Sequence, residues 1–284
     1  MLRRTIDPEH MMSRGSYVVE VERPERLDLI AALDGEPVGC AFVEPHGENV
    51  RGRVAWVSVR VLGTHRRRGV GTTLFREVSA FARAGGRDSL IFPARHDDAD
   101  SLEYLGKRGF VEALRLRESV LDLHQAGIRF DPPDDVDLAP LSADYEVDVY
   151  EVAVVVARDI PAADGSVEIG TFEDWRRREL GPNTARDCSF VALEDGAVIG
   201  YAILVDDGEG VGLHAMTGVL PDWRRRGVAL ALKQAQIDAA RARGLRSLRT
   251  ANAMDNPMRL VNDRLGYRRD VDWIHLRGPL LDGC

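Results

Sequence analysis

The feature that most limits what this chain can fold into is an internal repeat. The stretch Arg66-Arg67-Arg68-Gly69-Val70-Gly71 returns as Arg224-Arg225-Arg226-Gly227-Val228-Ala229, 158 residues later. Its surroundings return with it. A β-rich run precedes each copy (Val54 to Leu62, Val211 to Leu220), and an Ala- and Leu-rich helical stretch follows, ending at Gly85 or Gly244. Apolar runs come next (Ser89 to Phe92, Ser247 to Thr250). Finally Gly109-Phe110 sits 40 residues after Gly69, and Gly266-Tyr267 sits 39 after Gly227. Four landmarks kept in step mean two copies of one unit, and self-similarity at so long a period settles the architecture before any single element does.

A length of 284 residues accommodates two medium domains, each with its own core. Between the copies, Phe130-Asp131-Pro132-Pro133-Asp134-Asp135 pairs prolines with charge and reads as a linker, which divides the chain into 1–135 and 136–284. The first copy has little more than 25 residues before its first strand pair, Leu27 to Ala32 and Pro37 to Phe42 around Asp34-Gly35. The second has about 50, with helical runs at Tyr145 to Arg158 and Phe172 to Leu180, so the first copy is shortened at its front. In the second, Phe190 to Leu193 and Val198 to Leu204 flank Asp195-Gly196, a hairpin signal. Each copy then reads strand pair, strand, helix, strand, helix, strand. The expected helix faces are Leu74, Val78 and Phe81 in one copy and Leu232, Ala235, Ala239 and Ala242 in the other. The expected fold class is α/β: two tandem units, each a mixed, mostly antiparallel sheet flanked by helices.

Composition excludes several functions. No apolar run approaches the roughly 20 residues of a membrane span, and the start is too polar for a signal peptide, so a cytoplasmic protein is expected. Cys40, Cys188 and Cys284 are scattered, with no metal-like or disulfide spacing. The net charge of −8 argues against nucleic-acid binding. Of 38 basic residues only Lys107 and Lys233 are lysine, a usage that reads as codon bias and lowers the weight of any single arginine.

The repeated glycine turn suits a pyrophosphate. A strand running into Arg-x-x-Gly-x-Gly/Ala and then a helix places unpaired N–H groups at the helix start, where anions are favoured. Gly69 and Gly71 let a phosphate approach the main chain, and Ala229 keeps the last position small. Walker and Rossmann spacings are absent. One such loop is more often just a turn; two in matching contexts are a strong signal.

On these residues the chain resembles the tandem members of the GCN5-related N-acetyltransferase superfamily, over nearly all of its length. The resemblance implies that Arg66, Arg67, Arg68, Gly69, Val70, Gly71 and Thr72 hold the pyrophosphate of acetyl-CoA. In the second copy it implies the same for Arg224, Arg225, Arg226, Gly227, Val228, Ala229 and Leu230. It further implies that the preceding strand bonds the pantetheine arm through Val59, Arg60 and Val61, and through Thr217, Gly218 and Val219. Thr250-Ala251-Asn252 followed by Asn256-Pro257-Met258 is similar to the family's closing segment, with Asn252 and Asn256 on the cofactor arm; both also suit helix capping.

The departures concern proton transfer. A lysine-like amine at pH 7 is about 3.4 pKa units from neutrality, roughly 4.6 kcal/mol, so a base is needed. The family's usual glutamate position holds Ala55 and Leu213, and its usual tyrosine position holds Leu105 and Asn262. His214 is the candidate base, although strict alternation puts it on the face opposite Val219, and a histidine satisfied by a neighbour is the competing reading. Tyr104 is one residue off and reads as core; Tyr201 could reach a site but is more often structural; the acidic front helix, with Asp144, Glu146, Asp148 and Glu151, suits a cationic amine or plain solvation. The expectation is an acetyl-CoA-dependent N-acetyltransferase acting by direct attack of a small molecule's primary amine, metal-free, with the second copy catalytic. A monomer or homodimer is expected, with neither nucleic acid nor membrane as partner. The alternatives are a catalytically silent acyl-CoA-binding or sensing protein and a protein-directed acetyltransferase.

Overall fold

The computed structural model describes residues 26–45, 52–125, 129–161, 167 and 169–281. The segment ahead of the first strand, Met1 to Glu25, and Cys284 lie outside the described residues.

The strands are β1 Leu27–Leu33, β2 Glu36–Pro45, β3 Val54–Val61, β4 Ser89–Arg95, β5 Val111–Asp122, β6 Asp137–Pro140, β7 Phe190–Glu194, β8 Ala197–Asp206, β9 Val211–Val219, β10 Ser247–Ala253 and β11 Arg268–Pro279. The α-helices are α1 Val70–Ala84, α2 Ala99–Gly106, α3 Glu146–Val156, α4 Phe172–Glu179, α5 Val228–Arg243 and α6 Met258–Arg264. Both expected hairpins are present, and their Asp34-Gly35 and Asp195-Gly196 turns have positive φ at both residues, the conformation whose twist suits tight antiparallel connections.

The compact units do not follow the linker at 135. One comprises Met1–Arg115 with Trp273–Cys284, and the other comprises Leu116–Asp272. The closing strand of each sequence copy is therefore exchanged. Residues 116–122 of β5 pair antiparallel with β10, and residues 273–279 of β11 pair antiparallel with β4. In the first unit the order is β1-β2-β3-β4-β11, and in the second β5-β10-β9-β8-β7-β6, with β3/β4 and β9/β10 parallel and the other pairs antiparallel.

The exchanged segments are core elements. Ile274 and Leu276 are buried with Leu74, Phe75 and Val78 of α1 and with Phe92 and Phe110. In the second unit Leu121 and Leu123 are buried against Ile237 and Ala240 of α5. Its opposite face is covered by α3 and α4, whose Val149, Val152, Ala153 and Trp175 pack on Val191, Tyr201 and Ile203.

One expected helix face is corrected. In α1 Leu74 and Val78 are buried with Phe81 beside them, as periodicity requires. In α5, of the four expected residues only Leu232 is fully buried, Ala242 is exposed, and the helix turns Ala231, Lys233, Gln236, Ile237 and Ala240 inward. Alanine fits either side of a helix, so an alanine-rich segment leaves its buried face underdetermined.

Candidate functional site

Both units split open at the same place. β3 and β4 pair only from Val54↔Ser89 to Trp56↔Ile91, after which β3 runs on to Val61 and β4 to Arg95. β9 and β10 pair only from Val211↔Ser247 to Leu213↔Arg249 before they diverge. Each split frees main-chain donors and acceptors, and an extended ligand carrying amides can satisfy them by strand addition.

Each leading strand then feeds a one-turn 3-10 segment and a left-handed step. Arg67 and Gly69 have φ of 62° and 85°, and Arg225 and Gly227 have 61° and 93°. Only glycine adopts this conformation freely, and here it opens the helix. No side chain caps α1 or α5. The first turns close with Thr73 N–H on Gly69 O and Ala231 N–H on Gly227 O, each 3.0 Å. The N–H groups at 70–72 and 228–230 therefore point out of the helix ends, where they and the dipole favour an anion. Arg66 Nε donates to Val61 O at 3.4 Å and Arg224 Nε to Val219 O at 3.0 Å, so the leading arginine ties each loop back to its strand.

The surroundings of the two loops differ. In the first unit a cavity of about 620 Å³ is lined by Val59, Arg60, Val61, Arg66, Arg67, Gly69, Gly71 and Thr72, with a far wall of Phe92 to Arg95, Tyr104 and Trp273. Arg68 is exposed beside it, and Val70 turns into the core. A Cβ at Gly69 would meet nothing within 4 Å, and one at Gly71 only Val61 Cγ2 at 3.6 Å, so both glycines border open space that a phosphate can enter. This unit fits the nucleotide thioester that the sequence motif implies.

The second unit differs at the matching strand position. A Cβ at Gly218 would lie 2.9 Å from both Tyr201 and Val156, whereas the first-unit counterpart, Arg60, lines the cavity. Arg224 pairs with Asp159 at 2.7 Å, and Arg226 stacks on Trp223 while pairing with Asp135. Thr217 and Val219 continue the strand, with Val219 and Val228 buried and Ala229 packed beside them. Leu230 packs on the α5 core, and Arg225 is exposed. Asn252 Oδ1 accepts from Asn262 Nδ2 at 2.7 Å, and Asn256 Oδ1 accepts Met258 N–H at 2.9 Å, a turn that leads into α6 one residue ahead of its N-cap, Pro257.

His214 lies on a face that strict alternation misassigns. A bulge at Ala215 shifts the β8/β9 register: Gly200, Ala202 and Leu204 oppose Val219, Thr217 and His214. His214 therefore shares Val219's face, toward α5. Its Nε2 is 2.5 Å from Tyr267 Oη, and burial, then Lys233, hold the imidazole well below its ordinary value. The side chain is half-buried on the α5 face of the strand, with its Nε2 taken up by Tyr267.

Three further candidates take definite places. Tyr201 is core. Glu146 is buried and accepts from Arg176 Nε and Arg186 Nη2, each at 2.5 Å, so it ties α3 to α4 and is not free for a cationic amine. Tyr104, read from sequence as core, packs against the first-unit core and also borders the cavity: Arg108 covers its ring at 3.6 Å, and its buried hydroxyl has no partner among the described residues. Its spacing, one residue from the family's usual place, hid it.

Among the described residues no group of three or more His, Cys, Asp or Glu is placed to hold a metal, and no helix is long and apolar enough to cross a membrane.

Comparison with known proteins agrees with this geometry. A tandem GNAT protein from the clavulanic acid biosynthesis pathway superposes with a TM-score of 0.76 at 20% identity, over 99% of this chain and 93% of that one. A GCN5-related N-acetyltransferase from Sphaerobacter thermophilus gives 0.74 at 19% identity, over 90% and 82%. At such identities the likeness is one of fold. A mycothiol acetyltransferase from Mycolicibacterium vanbaalenii is 42% identical over 74 residues, which is 26% of this chain and only 23% of that protein's length. The acetyltransferase (GNAT) family model matches residues 4–110 and 154–267, once in each copy. Repeat, split strands, glycine loops and family match coincide, and the chain belongs to the GNAT acetyltransferase family.

Proposed function

We propose that the protein is an acetyl-CoA-dependent N-acetyltransferase that acetylates a primary amine of a small molecule by direct attack, with the donor held in the first unit. The observation that carries this reading is the cavity of about 620 Å³ between the diverging β3 and β4, floored by the Gly69–Thr72 helix start. Acetyl-CoA supplies an activated acetyl thioester. Val59 to Val61 offer main-chain bonds to its extended arm, and the N–H groups at 70–72 offer an anion cradle. Tyr104, which borders the cavity and whose buried hydroxyl has no partner among the described residues, is the residue placed to give a proton to the departing thiolate.

The donor is thereby moved from the second copy to the first. The enclosure of Gly218 by Tyr201 and Val156, and the inward face of His214, both favour that change.

The test is calorimetric titration of acetyl-CoA into wild type and Gly71→Val, followed by an amine panel read by CoA release. Binding that is lost in Gly71→Val supports the assignment, and unchanged affinity overturns it. Binding without release on any amine favours the silent acyl-CoA-binding alternative, for which the absent usual glutamate speaks.

A further inference from the structure

The two units differ in one stretch of interior. In the first, Phe75, Phe92 and Phe110 form an aromatic triad with ring centroids 5.3 to 5.9 Å apart. At the repeat-equivalent positions the second unit has Lys233, Thr250 and Tyr267. His214 completes the group. Val57 opposes Val43 in the first unit, and the counterpart of Val43 is Leu204, which opposes His214. Four apolar positions have become polar without becoming exposed: Lys233 is 1% exposed and Tyr267 5%.

The group is incompletely satisfied. His214 bonds Tyr267, and the Lys233 amine lies 5.3 Å from that ring's centroid. Gln236, fully buried on α5, is near enough to favour the charged form of His214 but makes no bond of proper geometry. His214 Nδ1 and both Gln236 amide atoms are thus without partners among the described residues. The facing groups are few: β9 presents His214, the turn before β11 presents Tyr267, and α5 itself presents Gln236. Further along α5, Asp238 is engaged by Gln234 at 3.1 Å and by Arg241 at 3.8 Å. Among the described residues no carboxylate compensates a charge on Lys233, and an uncompensated buried ammonium is costly.

We propose that the second unit has a proton-responsive core: Lys233 is buried without a counter-charge and resists protonation there, so that this unit selectively loses stability as pH falls, because the first unit has phenylalanine in its place.

The direction follows from linkage. Burial alone pushes the Lys233 amine down to about 7, while an unfolded lysine stays charged to about pH 10.4. Between those values the unfolded chain holds one proton more. The folding constant of the second unit therefore falls about tenfold per pH unit as pH drops toward 7, where Lys233's contribution is exhausted. His214, also kept neutral by burial, extends the loss below its ordinary 6.5.

The sequence makes the test direct, because Lys107 and Lys233 are the only lysines. In full-length protein labelled with ¹³C-lysine, two Cε signals are followed from pH 6 to 11, assigned by Lys233→Met and Lys107→Arg. The proposal expects the Lys233 signal to titrate near 7 in folded protein. A midpoint near 10.4 overturns it. In Lys233→Met, hydrogen exchange of β9 and α5 peptides should lose its excess pH dependence between pH 9 and 7, with α1 and β3 peptides unaffected. An unchanged slope in that variant also overturns the proposal. If Lys233→Met does not fold, Lys107→Arg leaves a single lysine signal, and its midpoint decides.

Discussion

Gly69 and Gly71 stand two residues apart and do different work. Gly69 has φ of 85°, so Gly69→Val strains the backbone and should lower stability by about 1 to 3 kcal/mol as well as block the cradle. Gly71 has ordinary φ and room for a Cβ. Gly71→Val should leave the melting temperature nearly unchanged while weakening acetyl-CoA binding at least roughly tenfold, about 1.4 kcal/mol. Calorimetry beside thermal melting checks the pair. Tyr104→Phe separates chemistry from packing in the same way. It removes an unpartnered buried hydroxyl, so stability should hold or rise slightly, while turnover on an accepted amine should fall by roughly tenfold to a hundredfold with acetyl-CoA affinity retained.

Among the elements, the exchanged strands are the most consequential. β11 gives the first unit its partner for β4, the buried Ile274 and Leu276, and Trp273 in the cavity wall. The following turn is tied down as well, with Leu281 N–H donating to Ser79 Oγ at 3.0 Å. A chain ending at Asp272 should therefore lose acetyl-CoA binding and the circular-dichroism signal of a folded first unit, although the repeat motif at Arg66 to Gly71 is intact. Retained binding would show that the exchanged strand is dispensable. A smaller element test lies at Gly39 and Gly200, which occupy matching places on β2 and β8. A Cβ at either would sit 2.9 Å from a carbonyl oxygen of the neighbouring strand, Arg60 O or Gly218 O. Alanine at Gly200 should cost about 1 to 3 kcal/mol, measured by denaturant unfolding.

For the molecule as a whole, the two copies have kept one backbone plan and changed what fills it. The first combines an apolar aromatic core with an open cavity; the second has close neighbours at Gly218 and a buried polar group among its apolar clusters. Ligand linkage should report that asymmetry. At a hundredfold excess over Kd, acetyl-CoA should stabilise the unit that binds it by about 2.7 kcal/mol. Hydrogen exchange should then slow in β3 and α1 peptides and not in β9 and α5; the reverse pattern would place the donor in the second unit.

Local signals were enough for the repeat, the element order, the Asp-Gly hairpins and both glycine loops. Each rests on residues adjacent in sequence or spaced at a helix or strand period, and such patterns impose their conformation wherever they occur. Packing decided the rest. Which strand closes which unit depends on pairings more than 100 residues apart, as between Leu248 and Leu121, and no local pattern encodes them. The side on which His214 lies turns on one bulged residue, Ala215, because a single insertion reverses every face before it. Whether a loop borders open space, as at Gly71, or a strand position is filled, as at Gly218, depends on side chains brought from other elements. The inward turn of Lys233 is of the same kind: an alanine-rich helix fits either way, and only its neighbours choose the face.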